Sequence, residues 1–175
     1  MVSKFERDLK KELNKIKKTF ESTIDANDMR KLGKFSVEMI HKRTKLGYGV
    51  ANFYEGDKNS INQKKKRLKP LSPAYVKFRQ RMKKAGKLDS STTVKKSNLT
   101  LTGQMLKNLG ISSVKAGSVV LKTKGRRTDS RYTNEQIAEF VSDQGRPWLD
   151  LTDLEQKKLA RYYQNNILKP ALAKI

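Results

Sequence analysis

The 175-residue chain has no cysteine, one histidine, one tryptophan and four prolines. Without cysteine there is no disulfide staple and no thiolate metal site, which suits a reducing compartment. A single histidine, His41, excludes a multi-histidine metal centre. Ser-His-Asp catalysis would have to use it, and no Gly-x-Ser-x-Gly elbow occurs. His41 follows Ile40 on a helical stretch and reads as an ordinary helix residue. Glycine-rich loops that cradle phosphate are absent. No apolar run approaches the ~20 residues that span a bilayer. The first residues, Met1-Val-Ser-Lys-Phe-Glu-Arg, lack the apolar core of a signal peptide. Acids are scarce as well, 17 against 40 Lys and Arg. Metal-dependent phosphodiester cleavage needs two or three convergent carboxylates. The candidates Asp129, Glu135, Asp143 and Asp150 form no tight motif. Together these absences predict a protein that is not an enzyme and needs no cofactor or metal.

Positive charge is what the chain has in abundance, a net of +23. Such a field implies a polyanionic partner. Charge alone does not separate DNA, RNA, a membrane surface and plain solubility. Its distribution says more. Between Lys58 and Lys96 there are 14 basic residues and one acid, Asp89, so +13 of the total lies in one segment. Lys64, Lys65, Lys66, Arg67 and Lys69 are its densest part, and concentration of this kind favours contact with phosphates without base readout. Tyr54, Tyr75 and Phe78 lie among these charges and read either as base-stacking groups or as core. A second cluster, Lys122, Lys124, Arg126, Arg127 and Arg131, is opposed only by Asp129. It faces either phosphate or an acidic neighbour.

Hydrophobic residues make up 35% of the chain, which predicts a modest core. Val2, Phe5, Leu9, Leu13, Ile16 and Phe20 recur at helical spacing and predict a helix over about 3–21. Asn27 or Asp28 is expected to cap a second helix bearing Met29, Leu32, Phe35, Met39 and Ile40 and ending near Leu46-Gly47. From Gly47 to about Leu71 the periodicity fades, and a long basic arm or loop is expected. Ser72-Pro73 starts a short helix with Tyr75, Val76, Phe78 and Met82, stopped at Gly86. Asp89 to Lys96 reads as a polar, mobile stretch. Thr102 is expected to cap a helix with Met105, Leu106 and Leu109, closed by Gly110. Ile111–Val114 and Ser118–Leu121 predict a hairpin about Lys115-Ala-Gly117. Lys122 to Tyr132 reads as a basic loop. Thr133 with Gln136, and Thr152 with Glu155, are capping boxes for two further helices. The last is expected to bury Leu154, Leu159, Tyr162, Tyr163, Ile167 and Leu168. The chain reads as one α+β domain with three parts: a helical pair over 1–46, a basic arm with a short helix over 47–100, and a helix, hairpin and C-terminal helix over 101–175.

Three segments in order, Pro70-Leu-Ser-Pro, Leu101-Thr-Gly, and Arg146-Pro-Trp-Leu before a final helix, resemble the tail-completion and head–tail joining (neck) proteins of long-tailed bacteriophages, including the Mu-type virion-morphogenesis family. The similar run covers roughly residues 68 to 168. The resemblance implies a small antiparallel sheet with N-terminal helices and a long C-terminal helix packed on it. It implies a ring, commonly a hexamer, at the head–tail junction of the virion. Its neighbours would be head connector or portal-side adaptor proteins and the tail terminator or tail tube. Genomic DNA would pass through its lumen, and no membrane is involved. The segment between the second helix and Pro70 is longer and more basic than that family leads one to expect.

Lys64, Lys65, Lys66, Arg67, Lys69, Arg126 and Arg127 are thus the candidate nucleic-acid contacts. Arg146 and Trp148 are the candidate oligomer contacts, Trp148 being either an intersubunit anchor or a core plug behind the fixed backbone of Pro147. The runner-up reading is a monomeric basic nucleic-acid-binding protein, although no RNA-recognition, KH or zinc-finger signature is present.

Overall fold

The computed structural model describes residues 24–50, 65–90, 92–100, 103–128 and 130–173, together with Lys11 and Asn14. The helix expected over 3–21, apart from those two residues, lies outside this set, as do Lys64, Tyr54, Leu101, Thr102 and Asp129.

The fold is α+β. Helix α1 (Ala26–Lys45) is followed by strands β1 (Tyr48–Val50) and β2 (Lys65–Arg67), then helix α2 (Pro73–Lys84) and the single turn α3 (Gln104–Lys107). Strands β3 (Leu109–Lys115) and β4 (Ser118–Thr123) come next, then α4 (Asn134–Asp143) and α5 (Asp153–Tyr163). A π-helical turn, Gln164–Leu168, and α6 (Lys169–Leu172) prolong α5. The strands form two separate antiparallel pairs, β1–β2 and β3–β4, rather than one sheet.

The cap of helix α1 lies two residues before Asn27 and three before Asp28, the two caps expected for it. Asp25 is the N-cap, and its carboxylate accepts from the Asn27 and Asp28 backbone amides. Buried Met29, Gly33, Ser36 and Ile40 mark the face laid on β3–β4. Gly33 permits the closest approach: a Cβ there would lie 2.7 Å from Val119 Cγ2 and 3.0 Å from Ile111 Cδ1. A helix-interior glycine costs roughly 1 kcal/mol against alanine, and here close packing offsets it.

The core lies in two parts. Ile40, Met105, Leu106, Leu109, Ala138 and Trp148 form one, between α1, α3, the hairpin and α4. Ile24, Met29, Ile167 and Ala171 form the other, where the C-terminal helix meets α1. There Phe35 stacks on Tyr162 with centroids 4.6 Å apart. Leu154 departs from expectation: it is 64% exposed rather than buried. Helix α3 also stops early. Leu109 and Gly110 pair with Thr123 and Lys122, so the hairpin ladder takes the residues that were to close the helix. The ladder likewise takes Lys122 and Thr123 out of the expected basic loop.

His41 is half-buried, and its Nε2 lies 2.6 Å from the Leu106 carbonyl oxygen. A carbonyl only accepts, so this nitrogen carries the proton. Burial lowers the imidazole pKa, against the pull of that carbonyl, and Lys45 lowers it further. The folded state thus disfavours the charged form. The stabilisation is fully present above the unfolded value, about pH 6.5, and is lost as pH falls towards the lower folded value. As the chain has one histidine, urea midpoints should fall on going from about pH 7.5 to about pH 5.5 in the wild type. His41→Gln should flatten that trend, and an equal slope in both proteins would refute this account.

Candidate functional site

The basic arm is anchored rather than loose at its base. Tyr48, Gly49 and Val50 pair with Arg67, Lys66 and Lys65. No alternation of apolar residues announces β2, because Lys65, Lys66 and Arg67 are all exposed. Tyr48 supplies the missing contact: Lys65 Nζ lies 3.9 Å above its ring centroid, and Arg67 Cζ lies 5.9 Å away. Leu68, buried, donates its amide to the Gly47 carbonyl at 3.0 Å. The Val50 amide donates to the Pro147 carbonyl at 3.1 Å, which joins the hairpin to the turn before α5.

That turn is held by an arginine the sequence analysis passed over. Arg43 is 4% exposed on α1. Its Nη2 donates to the carbonyls of Trp148 at 2.5 Å and Asp150 at 2.7 Å, and its Nη1 pairs with Glu155. Glu155 also accepts from the Thr152 amide, completing the expected capping box. Burial lowers the Arg43 pKa, and Glu155 opposes that shift. Trp148, 0% exposed, sits in the core beneath this network. Its placement among the oligomer contacts is therefore corrected, since a side chain closed off within one chain has no surface to offer another.

Arg146 turns to the other side. Its Nε donates to the Lys69 carbonyl at 3.2 Å and its Nη2 to the Pro70 carbonyl at 3.1 Å. The Arg-Pro-Trp turn is thereby tied to the Pro-Leu-Ser-Pro turn, where Ser72 caps α2.

A second buried arginine organises α2. Arg79, 2% exposed, donates to the Lys96 carbonyl at 2.5 Å and to Thr92 Oγ1 at 2.9 Å. Thr92 Oγ1 donates to Asn98 Oδ1 at 2.7 Å, which also accepts from Thr100 Oγ1 at 2.6 Å. The stretch that read as polar and mobile is thus held at Thr92 and Lys96 by a buried cation. Burial lowers the Arg79 pKa. Leu99, next in the chain, has a φ of 55°, rare for a branched side chain.

These parts enclose a cavity of about 770 Å³. Lys69, Arg79, Arg127 and Arg146 supply positive charge to its lining, and among the described residues no acid lines it. Leu71, Leu99, Met105, Ile137 and Val141 supply apolar surface, and Tyr75, Ser72, Gln104 and Gln144 supply polar groups. Burial raises the Tyr75 pKa, while Arg79, Arg146 and Arg127 push the other way. Of the proposed nucleic-acid contacts, the structure brings Lys69 and Arg127 to this cavity. Lys65, Lys66 and Arg67 lie on β2 outside its lining, and exposed Arg126 bridges to Thr133. On the other side of α4 a smaller cavity, about 330 Å³, is rimmed by Glu135, Glu139 and Asp143. Among the described residues no three His, Asp or Glu side chains converge to hold a metal ion, and no helix is long and apolar enough to cross a membrane.

Compared with known families, curated proteins and solved structures, the chain finds no match.

Proposed function

We propose that this is a structural protein of a phage neck, which forms a ring at the head–tail junction and presents a basic surface to the DNA passing through it. One observation supports the reading above others. The segments that carry the resemblance are far apart in sequence, yet Pro70, Leu71, Ser72, Gly103 and Arg146 meet at one cavity, with Arg146 bonded directly to the Pro70 turn. Exposed Lys65, Lys66 and Arg67 on β2 offer the sequence-independent phosphate contact such a lumen needs. Long flexible cations screen phosphates without gripping bases. The modest core also fits, because apolar area missing within a protomer can be covered between protomers.

Native mass in moderate salt, with and without duplex DNA, tests the reading. A closed oligomer supports it. A monomer that shifts DNA or RNA in a gel supports the monomeric nucleic-acid-binding alternative instead. Replacing Lys64, Lys65, Lys66 and Arg67 with serine should leave folding nearly intact, since exposed charges add little to stability. It should flatten the plot of log affinity against log salt by about 0.9 for each phosphate contact removed. An unaltered slope, with head–tail joining lost, would make the arm a protein-docking element. Incubation with plasmid and Mg²⁺ or Mn²⁺ should yield no cleavage; cleavage abolished by Asp143→Ala would overturn the structural role.

A further inference from the structure

The two sides of α4 differ in charge. Ile137, Val141 and Gln144 face the larger cavity, whose described lining holds four cations and no acid. Glu135, Glu139 and Asp143 recur every fourth residue and rim the smaller cavity opposite. Helical geometry puts such a run on one stripe, roughly half a turn from the Ile137–Val141 stripe. All three acids are exposed; Glu135 pairs with Lys122 at 3.3 Å, and Glu139 and Asp143 extend the acidic stripe in a chain with 17 acids and 40 basic residues. The larger cavity is cationic on its described lining. Arg79 is 98% buried in its lining, and its Nε has no hydrogen-bond partner. Lys69, exposed at the same cavity, and Arg146 add positive charge to the lining. A volume of about 770 Å³ lies in the range of ligand-binding clefts and accommodates several side chains.

We infer that the larger cavity is a carboxylate-accepting socket, and that its occupant is the Glu135, Glu139 and Asp143 stripe of a second copy of this chain. The inference rests on the ring reading and specifies its interface. Socket and stripe are different surfaces, so the contact is head-to-tail, the kind that closes into a ring when the rotation permits. Apolar groups on each side reinforce it: Leu71, Leu99 and Met105 in the socket, and Leu149, 38% exposed, beside the stripe. The net +23 of each copy opposes association over long range. Salt screens that repulsion beyond about 8 Å at 0.15 M, while the short contacts inside a cleft are screened less. Association should therefore be weak at very low salt, strongest at intermediate salt, and weak again near 1 M.

Sedimentation of the full chain across that salt range tests the inference. Glu139→Lys reverses an exposed stripe charge, and Lys69→Glu reverses an exposed socket charge. Each alone should weaken self-association on the order of tenfold or more, the size expected for a lost close charge pair. Circular dichroism and melting temperature should stay at wild-type values, because neither side chain is buried. The decisive measurement mixes the two variants. The Glu139→Lys protein keeps its socket and the Lys69→Glu protein keeps its stripe, so the mixture should regain assemblies that neither forms alone. Wild-type oligomers that both variants still form at equal affinity overturn the socket while leaving the ring reading standing. A mixture that stays monomeric also overturns it. A wild-type chain that remains monomeric at every salt concentration overturns both.

Discussion

Trp148→Ala will destabilise the fold by about 3–5 kcal/mol, the cost of emptying a fully buried large aromatic site. The indole is 0% exposed and packs with Ile40, Met105, Leu106, Leu109 and Ala138. Trp148→Phe will cost much less. The indole Nε1 has no hydrogen-bond partner, and phenylalanine removes that buried donor along with some volume. Chemical denaturation of both variants gives the comparison. Equal losses would mean that the indole nitrogen is satisfied and that Trp148 does more than fill space. Wild-type stability in Trp148→Ala, with assembly lost, would return the residue to an intersubunit role.

Arg43→Met will destabilise by a similar amount, about 3–5 kcal/mol, as happens when one partner of a buried ion pair is removed. Glu155 would keep its bonds from Thr152 but lose its cation, and the Trp148 and Asp150 carbonyls would lose their donor. The double variant Arg43→Met/Glu155→Gln will cost less than the two single changes added together, because the second change removes the stranded charge. Strict additivity in urea unfolding would show that the pair is not coupled. Both predictions concern the same turn from opposite sides, the indole beneath it and the guanidinium across it.

Much of the local structure could be read in the chain because its signals are short-range. Thr133 with Gln136 and Thr152 with Glu155 form the two expected capping boxes. Ser72 followed by Pro73 starts α2, and the hairpin turns at Ala116-Gly117, with Gly117 at φ 78°. What could not be read depends on distant partners. Lys65, Lys66 and Arg67 have no apolar alternation, and only pairing with Tyr48–Val50 makes them a strand. Arg43 and Arg79 look like solvated helix residues in a chain rich in such residues. Each is buried by a segment more than ten residues away whose carbonyls need donors. A buried arginine leaves no periodic mark, since its partners, backbone carbonyls with Glu155 or Thr92, are distant in sequence. The one usable clue was composition: a small domain with irregular stretches must satisfy their carbonyls somehow. For the site, the resemblance segments and Lys69, Arg127 and Arg146 were legible, while Arg79 was not.

The amide of Val50 gives one more consequence. It donates to the Pro147 carbonyl, across from its own strand pair, and Gly49 beside it sits so close that a Cβ would lie 2.1 Å from that same oxygen. A two-stranded ribbon at a surface ordinarily frays, and its protons exchange with solvent quickly. This one cannot release its Val50 proton until the Pro147 turn lifts, and the turn is pinned by Trp148 and Arg43. Deuterium uptake at Val50 should therefore be as slow as at the core amides of α1, and Arg43→Met should accelerate both alike. Strain applied to the basic arm, by moving DNA or by a docking neighbour, would reach the start of the terminal helix through this bond and through the Arg146 bonds to Lys69 and Pro70, so the arm and that helix open as one unit.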